Sequence, residues 1–433
     1  MVEYADFLAR KRKSFGTFGV HVTPDALHPS MFGYQRDLTR WALRKGRACV
    51  FAATGLGKTR IEIEFARLGG RRSLIVAPLA VGWQTAKEAE SMGVNATVVR
   101  SQSEVVGDGV YIVNYERLHL IDPSAFDAVV LDESSILKGF DGTTRKQIQD
   151  MFARTPMKLA CTATPAPNDH MELGTHAEFV GAGTRAEMLA TYFVHDGGDT
   201  SKWRLKRHAV DPFWDWVTTW GAFVGKPSDL GYDDAGHELP PLIINDHTVD
   251  GHYEPTEDGA LFHFGAMSAT KVHDHMRRTS QARAEKVAEI AAGRDTFLTW
   301  CHTNYDQDTV LAALPGQIDV RGNDQPDAKE KKLKQFSEHG GRMLTKPSIA
   351  GFGLNWQHCN EMAFAGLSYS WEAMHQAIRR CWRFGQTKPV TVHVVSADTE
   401  SAIAETIRAK ESAYDEMAQS MREAMARKAE DFR

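Results

Sequence analysis

The residues best suited to chemistry form a glycine-rich loop, AATGLGKT, at positions 52–59. An apolar run precedes the loop and a helix-like segment follows it, so the loop would join a buried strand to a helix. Gly55 and Gly57 allow a tight turn whose backbone N–H groups face phosphate oxygens. Lys58 would reach the β- and γ-phosphates, and Thr59 would hold magnesium. The pattern predicts a polyphosphate-binding loop, although the strict pattern has glycine at position 52 where this chain has alanine; an ordinary strand-to-helix turn is the alternative.

A pair of carboxylates follows another apolar run, DAVVLD, at 127–132. A carboxylate at a strand end opposite a phosphate loop can hold magnesium through water, and a second one beside it can orient and deprotonate an attacking water. We therefore expect Asp132 to hold the metal and Glu133 to act as the base. Capping of the next helix, to which the sequence DESS is also suited, is the alternative.

Two further segments could respond to the nucleotide. The amide of Gln35, upstream of the loop, both donates and accepts hydrogen bonds, so it could read an adenine edge or be a plain surface glutamine. The hydroxyls of Thr162 and Thr164, in TATP, could report on the γ-phosphate, although the spacing alone indicates only a strand exit closed by proline. The residues predicted to bind the nucleotide are Gln35, Thr54, Gly55, Leu56, Gly57, Lys58 and Thr59.

The second half of the chain carries a basic segment, SWEAMHQAIRRCWRFGQ, at 370–386. On a helix, Gln376, Arg380 and Arg383 would share one face, so two guanidinium groups could point at one phosphate. Such an arginine stabilises charge on a transferring phosphoryl group. A basic surface helix is the alternative. The sequence GFGLNW at 351–356 is a glycine-rich loop suited to close approach of a ligand.

Tryptophans and basic residues are interleaved in the central region, between positions 202 and 220. Such a pattern can clamp a nucleic-acid backbone and stack on bases. The tryptophans can equally pack inside a small helical insertion, which makes the basic residues the better candidates for contact. The residues predicted to contact nucleic acid or to couple it to the nucleotide are Thr162, Thr164, Lys202, Arg204, Lys206, Arg207, Gly353 and Asn355.

Short apolar runs that alternate with helical segments would position these residues. The runs lie at 48–52, 73–77, 96–99, 110–114, 127–132 and 157–161 in the first half, and at 296–301, 317–320, 342–346, 362–366 and 390–395 in the second. Continuous runs of this kind are typical of parallel strands buried on both faces, so we expect an α/β protein with doubly wound sheets and ligands at the strand ends. A charged helix after position 397 has an apolar stripe, which we expect to dock on the second unit.

Composition limits the class of protein. The 433 residues suggest two or three domains, and 42% hydrophobic content is ample for buried cores. The longest uncharged apolar run, LIVAPLAVGW, is too short to span a bilayer, so no membrane partner is expected. The five cysteines form no CxxC pair, which favours buried thiols in a reducing, cytoplasmic compartment over a zinc site. A net charge of −5 still allows a local basic face for nucleic acid.

In combination, these segments resemble the motifs of superfamily 2 helicases and, within them, the Swi/Snf-type ATPases, especially the compact versions encoded by bacteriophages and prophages. The matching segments are YQRDLTRW, ATGLGKT, LIVAPLAVGWQTAKE, VNYERL, DESSILK, TATPAPNDHMEL, GFGLNW and QAIRRCWRFGQ. The resemblance maps Gln376, Arg380 and Arg383 onto the family's glutamine and arginine fingers, whereas Arg379 has no matching role. Ser135 stands where the family's DEAHxIK motif has histidine.

The resemblance implies two RecA-like lobes in tandem, with a small, mostly helical insertion between them. The expected domains are an N-terminal arm at 1–30, an ATP-binding lobe at 31–181, an insertion and linker at 182–240, a second lobe at 241–398 and a C-terminal helix at 399–433. The expected function is an ATP- and magnesium-dependent DNA helicase or translocase of phage replication or recombination, in the host cytoplasm, with proteins of those processes as partners. A nucleotide-gated switch or assembly ATPase, and an RNA helicase, are the alternatives.

Overall fold

The chain folds as two compact α/β units. The computed structural model describes residues 15–79, 81–138, 142–196, 199–250, 276–351 and 353–432. The first unit contains the chain up to His237 and from Ala413 onward, and the second contains Glu238–Ser412. Each unit is built around one large sheet.

The first unit is organised around a parallel sheet. Its strands are β1 (Arg47–Ala52), β2 (Arg72–Ala77), β3 (Ala96–Val98), β4 (Gly109–Asn114), β5 (Ala128–Asp132), β6 (Met157–Thr162) and, after a hairpin of β7 (Phe193–Asp196) and β8 (Asp199–Leu205), β9 (Gly221–Val224). The strand order in the described part of this sheet is β3-β4-β2-β5-β6-β1-β9. Strands β1, β5 and β6 are almost wholly buried, which explains their continuous apolar sequences. Because β6 lies between β1 and β5, the chain segments that leave these three strands meet at one edge of the sheet.

Helices cover the sheet of the first unit. They are α1 (Gly33–Lys45), α2 (Lys58–Gly69), α3 (Gly82–Ser91), α4 (Thr143–Met151), α5 (Leu173–Val180), α6 (Arg185–Tyr192) and α7 (Val210–Val217). Helix α2 begins directly after the glycine-rich loop that leaves β1, as the sequence predicts. Its inner face is buried through Ile61 and Phe65.

The region predicted as an insertion, 182–240, combines helices α6 and α7 with strands as well. The β7–β8 hairpin lies within it, and β9 pairs in parallel with β1 at the edge of the sheet of the first unit. Its tryptophans belong to the core, since Trp214, Trp216 and Trp220 are at most 7% exposed. Trp216 packs edge-on against Trp220 with ring centroids 5.3 Å apart. These three tryptophans therefore pack inside and do not form a stacking surface for bases.

The second unit repeats the α/β pattern, and its sequence contains no second GKT motif. Its strands are β10 (Leu242–Val249), β11 (Phe297–Trp300), β12 (Ile318–Asp319), β13 (Arg342–Thr345), β14 (Glu361–Ala365) and β15 (Val390–Ala397), and its helices are α8 (Ser280–Ala291), α9 (Asn304–Ala313), α10 (Pro326–His339), α11 (Pro347–Ala350) and α12 (Trp371–Ile378). The strand order is β10-β15-β14-β11-β13-β12, with parallel pairing throughout its described residues. Two parallel sheets with flanking helices thus confirm the expected fold class.

The C-terminal helix α13 (Ser401–Ala426) differs from the expectation that it docks on the second unit. Its stripe divides between the units: Ile403 and Ile407 are buried in the part assigned to the second, whereas Met417 and Met421 join the core of the first. Beyond the helix, Phe432 packs against Trp41 at 5.0 Å. Among the described residues, no helix is both long and apolar enough to cross a membrane.

Candidate nucleotide site

The loop between β1 and α2 has the backbone that its glycines predict. Gly55 and Gly57 have φ of 95° and 77°, a left-handed region that glycine adopts without the strain that a side chain would add. A Cβ atom at Gly57 would lie 2.2 Å from Nε2 of Gln35, so the position also requires glycine for space. Glycine at position 57 is therefore required twice, by conformation and by contact.

Lys58 and Thr54 have polar groups that suit a phosphate. The Lys58 ammonium donates a hydrogen bond to the Ala52 carbonyl at 2.8 Å. Burial lowers the pKa of Lys58, while the nearby carboxylates of Glu133, Glu62 and Asp132 oppose that shift. The buried hydroxyl of Thr54 has no hydrogen-bond partner in the described part of the chain. An orphaned hydroxyl and a lysine within the same loop fit a bound polyphosphate.

Glu133 is held in a strained conformation at the end of β5. It is the one described residue other than glycine with positive φ, at 54°. Such a conformation costs about 1–3 kcal/mol and persists where the surrounding structure fixes it, frequently at active sites. The Thr162 hydroxyl donates a 2.6 Å hydrogen bond to Glu133 Oε1, and the Thr164 N–H donates to Thr162 Oγ1 at 3.1 Å. The strand ends of β5 and β6 are thus connected through the predicted base.

Asp132 lies beside Glu133, and the two are each 8% exposed. The Tyr115 hydroxyl donates a hydrogen bond to the Asp132 backbone carbonyl at 2.8 Å, which fixes the strand end. Burial raises the pKa of Tyr115 well above its ordinary value, and Asp132 and Glu133 add to the shift. Sequence reasoning missed Tyr115, although the segment VNYERL was assigned to a motif as a whole.

Ser135 stands at the position where the DEAHxIK motif has histidine, and a histidine from another element lies next to this segment. Ser135 is buried, and the adjacent Ser134 places its hydroxyl 3.1 Å from Nε2 of His176 on helix α5. Burial lowers the pKa of His176 to about 4, so its ring is neutral at pH 7. His176 also packs edge-on against Phe51 of β1 at 5.3 Å. A histidine from another element therefore contacts this segment, which a linear motif could not reveal.

Glu62 is a second residue that sequence reasoning missed. It lies on α2 one turn after Lys58 and is fully buried. Burial and the neighbouring Asp132 raise its pKa well above the ordinary value, while Lys58 opposes the shift. The sequence signal was available as an acidic residue on the apolar side of the helix that follows the loop, next to Ile61 and Ile63.

Gln35 lies at the loop, but its amide has protein partners. Its Nε2 donates to the Leu56 carbonyl at 3.0 Å, and its Oε1 accepts from the Phe32 N–H at 3.0 Å. Phe32 is 45% exposed and stacks on Tyr34 at 5.9 Å. Reading an adenine edge, the role predicted for Gln35, would require exchange of one of these hydrogen bonds.

The second unit brings together the two arginines predicted as fingers. Helix α12 ends at Ile378, so the predicted common helix face is wrong for Arg380 and Arg383, which lie in the turns that follow. Both guanidinium groups nevertheless donate to the Leu354 carbonyl, at 3.3 and 3.2 Å. Gln376 holds Arg380 through its side-chain oxygen at 3.0 Å. The turns after α12, and not helical spacing, therefore bring the two guanidinium groups together.

The loop after α11 presents the glycine and asparagine of GFGLNW. Gly353 has φ of 74°, and Asn355 is exposed, so its amide is accessible to a ligand. Leu354 between them is buried and supplies the carbonyl that binds both arginines. The exposed Asn355 therefore follows directly after the residue whose carbonyl binds the two arginines.

The basic residues of the central region divide into two groups. The Lys206 ammonium donates to the Ala190 and Thr191 carbonyls at 3.0 and 2.9 Å, so it caps the end of α6. Arg204 and Arg207 are exposed. The side chain of Lys202 lies outside the described part of the structure. Among these residues, the arginines are the better placed for contact with a phosphate backbone.

The donors in the first unit also fit magnesium. The ion usually binds proteins through one or two carboxylates and completes its shell with water and phosphate oxygens, so a dedicated cage is not required. Among the described residues, no cluster of three or more His, Cys, Asp or Glu side chains suited to a metal occurs. Thr59 and Asp132 are the residues that would hold the ion here.

Comparisons with known proteins agree with the motif order. No family model matches the chain. It is 22% identical over 416 residues to "SWI/SNF-related matrix-associated actin-dependent regulator of chromatin subfamily A-like protein 1" of Xenopus laevis, a match that covers 85% of this chain and 42% of that protein. The corresponding protein of Xenopus tropicalis is 22% identical over 417 residues, with 86% and 43% covered. The chain therefore spans less than half the length of these relatives.

One further similarity is a short sequence match, and another is an alignment with a solved structure. A stretch of 95 residues, 22% of this chain and 9% of the other protein, is 30% identical to a bifunctional helicase and thymine dioxygenase of Leishmania braziliensis. The Sulfolobus solfataricus SWI2/SNF2 ATPase core in complex with dsDNA aligns with a TM-score of 0.42 and 16% identity over 93% of this chain and 96% of that one. In its long sequence matches and in the order of its motifs, the chain is similar to proteins of the Swi/Snf type.

Proposed function

We propose that this chain is an ATP-dependent DNA translocase or helicase. The observation that carries the proposal is the arrangement around Glu133, a buried carboxylate with a strained backbone that accepts a hydrogen bond from Thr162. A protein that only binds nucleotide has no need of an oriented base of this kind. Lys58 and Asp132 both act electrostatically on the buried carboxyl group of Glu62.

In the proposed reaction, the first unit binds the nucleotide and prepares the water. The loop N–H groups and Lys58 bind phosphate oxygens, and Lys58 leaves the Ala52 carbonyl to do so. Magnesium, when bound, neutralises charge on the β- and γ-phosphate oxygens. Glu133 accepts the proton of the attacking water, and Thr162 keeps the carboxylate oriented.

The second unit supplies cationic groups in the proposed reaction. Arg380 and Arg383 converge on one carbonyl, so both guanidinium groups could bind one phosphoryl group. Arginine suits this role because its guanidinium is always charged and binds phosphate in a bidentate manner. Repeated arrival and departure of these residues would couple hydrolysis to movement along DNA.

DNA is the proposed partner because the long sequence matches are to chromatin regulators of the Swi/Snf type. The exposed Arg204 and Arg207 are the proposed contacts, since exposed arginines bind the phosphate backbone without reading sequence. A role in phage replication or recombination, with proteins of those processes as partners and the host cytoplasm as the location, rests on the resemblance to compact phage-encoded relatives alone.

An ATPase titration tests the proposal against its alternatives. Hydrolysis by the full chain is measured with single-stranded DNA, duplex DNA and RNA of equal length, followed by strand displacement with the best activator. We expect DNA to stimulate hydrolysis and RNA to do so weakly. Equal rates with and without all three polymers would contradict the motor and favour a nucleotide-gated switch, and preference for RNA would indicate an RNA helicase.

A further inference from the structure

The carboxyl group of Glu62, on the helix that follows the phosphate loop, is buried without a conventional hydrogen-bond partner among the described residues. The side chain is 0% exposed, and neither carboxyl oxygen is bonded to a nitrogen or oxygen donor among the described residues. The group that lies against it is the thiol of Cys161, which is only a weak donor. Most buried polar groups in proteins are hydrogen-bonded, so an exception at a functional site indicates a missing partner.

The neighbours of Glu62 define what that partner can be. Asp132 and Glu133 at the end of β5 and Lys58 on the same helix act electrostatically on the carboxyl group, and the Cys161 thiol on β6 contacts it. Lys58, Asp132 and Glu133 are also the residues expected to surround the nucleotide phosphates and the magnesium ion. ATP phosphate oxygens are acceptors at neutral pH and cannot donate to a carboxyl oxygen. Water molecules in the shell of magnesium can donate, and the ion usually retains several of them in proteins.

We propose that Glu62 is a positioning residue of the magnesium site, whose carboxyl oxygens accept hydrogen bonds from water ligands of the ion held by Thr59 and Asp132. This inference rests on the ATP-binding part of the proposed function. Groups that orient metal ligands from behind change metal affinity by about 10–100-fold when they are removed. The same group destabilises the ligand-free protein, because a buried polar group without a partner retains its desolvation cost.

Helix α2 provides a matched control for this proposal. Glu64 is also 0% exposed, but it is paired with Arg67 at 2.7 Å and lies on another side of the helix. A substitution of Glu64 therefore removes a satisfied carboxylate of the same type from the same helix. Substitution of Glu64 should therefore change the unfolding midpoint and the half-saturating magnesium concentration differently from substitution of Glu62.

The test measures the magnesium requirement for binding of a fluorescent ATP analogue, together with thermal unfolding of the metal-free protein. We expect Glu62→Met and Glu62→Ala to raise the half-saturating magnesium concentration by about tenfold or more. Nucleotide affinity in EDTA should stay unchanged. Glu62→Met should also raise the unfolding midpoint, whereas Glu64→Gln should lower it and leave the magnesium requirement as in wild type.

Each outcome decides the question. An unchanged magnesium requirement in a folded Glu62→Met or Glu62→Ala variant would overturn the proposal. Failure of both variants to fold would assign Glu62 a structural role and overturn it as well. If the wild-type chain binds no ATP analogue with magnesium, the proposed function itself fails; if it binds and the variants match it, only the role of Glu62 fails.

Discussion

At the scale of single residues, the candidate site contains one residue in an unfavourable backbone conformation and one buried carboxyl group with an unfavourable environment. Glu133 adopts a positive φ, and Glu62 is buried with no oxygen or nitrogen donor in the part of the chain that the structure describes. Natural proteins keep such features where function requires them, because the rest of the fold supplies the stability. The hydrogen bond from Thr162 gives the Glu133 carboxylate one orientation.

Removal of that hydrogen bond is the first prediction at this scale. Thr162→Val keeps the side-chain shape and deletes the hydroxyl, so Glu133 loses a donor worth roughly 1.5–3 kcal/mol. We expect the hydrolysis rate to fall by about 10–100-fold with little change in nucleotide affinity. Steady-state hydrolysis and equilibrium binding of an ATP analogue measure the two effects. Thr191→Val is the control, since its exposed hydroxyl bonds to the Glu187 carbonyl on the surface; equal rates in both variants would refute the role of Thr162.

At the scale of elements, turns and strand ends do the positioning. In the first unit, β6 between β1 and β5 brings the phosphate loop, the carboxylates and the two threonines to one sheet edge. In the second, the turns after α12 place Arg380 and Arg383 at the Leu354 carbonyl. Neither arrangement requires a long helix or a rigid loop.

The arginine pair gives a prediction at this scale. Arg383→Ala and Arg380→Lys should reduce DNA-stimulated hydrolysis by about 10³-fold or more, as expected for loss of an arginine finger, while nucleotide affinity is retained. Lys58→Ala should instead abolish hydrolysis. Arg379→Ala is the neighbouring control, because its guanidinium stacks on Trp382 at 4.3 Å. Thermal unfolding verifies that the buried Arg380 position tolerates lysine, and wild-type turnover in folded variants would remove the finger assignment.

At the scale of the whole molecule, each unit contains a histidine whose pKa is lowered. Burial lowers the pKa of His176 in the first unit and of His302 in the second to about 4. The unfolded chain binds these protons near pH 6.5, so the folded state binds fewer protons between the two values. The contribution of the neutral histidines to the free energy of unfolding is therefore present above pH 6.5 and is lost as the pH falls toward 4.

The pH dependence of unfolding tests this assignment. Each histidine contributes roughly 3 kcal/mol across this window. We expect the thermal midpoint to fall steeply from pH 6.5 to 4.5, and His176→Gln to flatten the part due to the first unit. Gln can keep the bond to Ser134. The exposed His119→Gln serves as control and should leave the profile as in wild type. A profile that His176→Gln does not alter would contradict the assignment.

The sequence by itself determined the elements and the linear motifs of this protein. Continuous apolar runs predict buried parallel strands because both faces of such strands are covered, and the loop at 52–59 requires glycine for its backbone. These signals depend on neighbours in the chain. They predict roles for Lys58, Asp132 and Glu133 without knowledge of the fold.

Only the tertiary structure decided which distant residues meet. His176 contacts Ser134, Thr162 contacts Glu133, and Glu62 is buried near Asp132 because strand order and helix packing bring separate segments together. The same reason explains the errors: α12 ends before Arg380, and α13 contributes to the core of the first unit as well. Periodicity specifies which face of a helix is apolar, but the partner of that face is set by the packing of the whole chain.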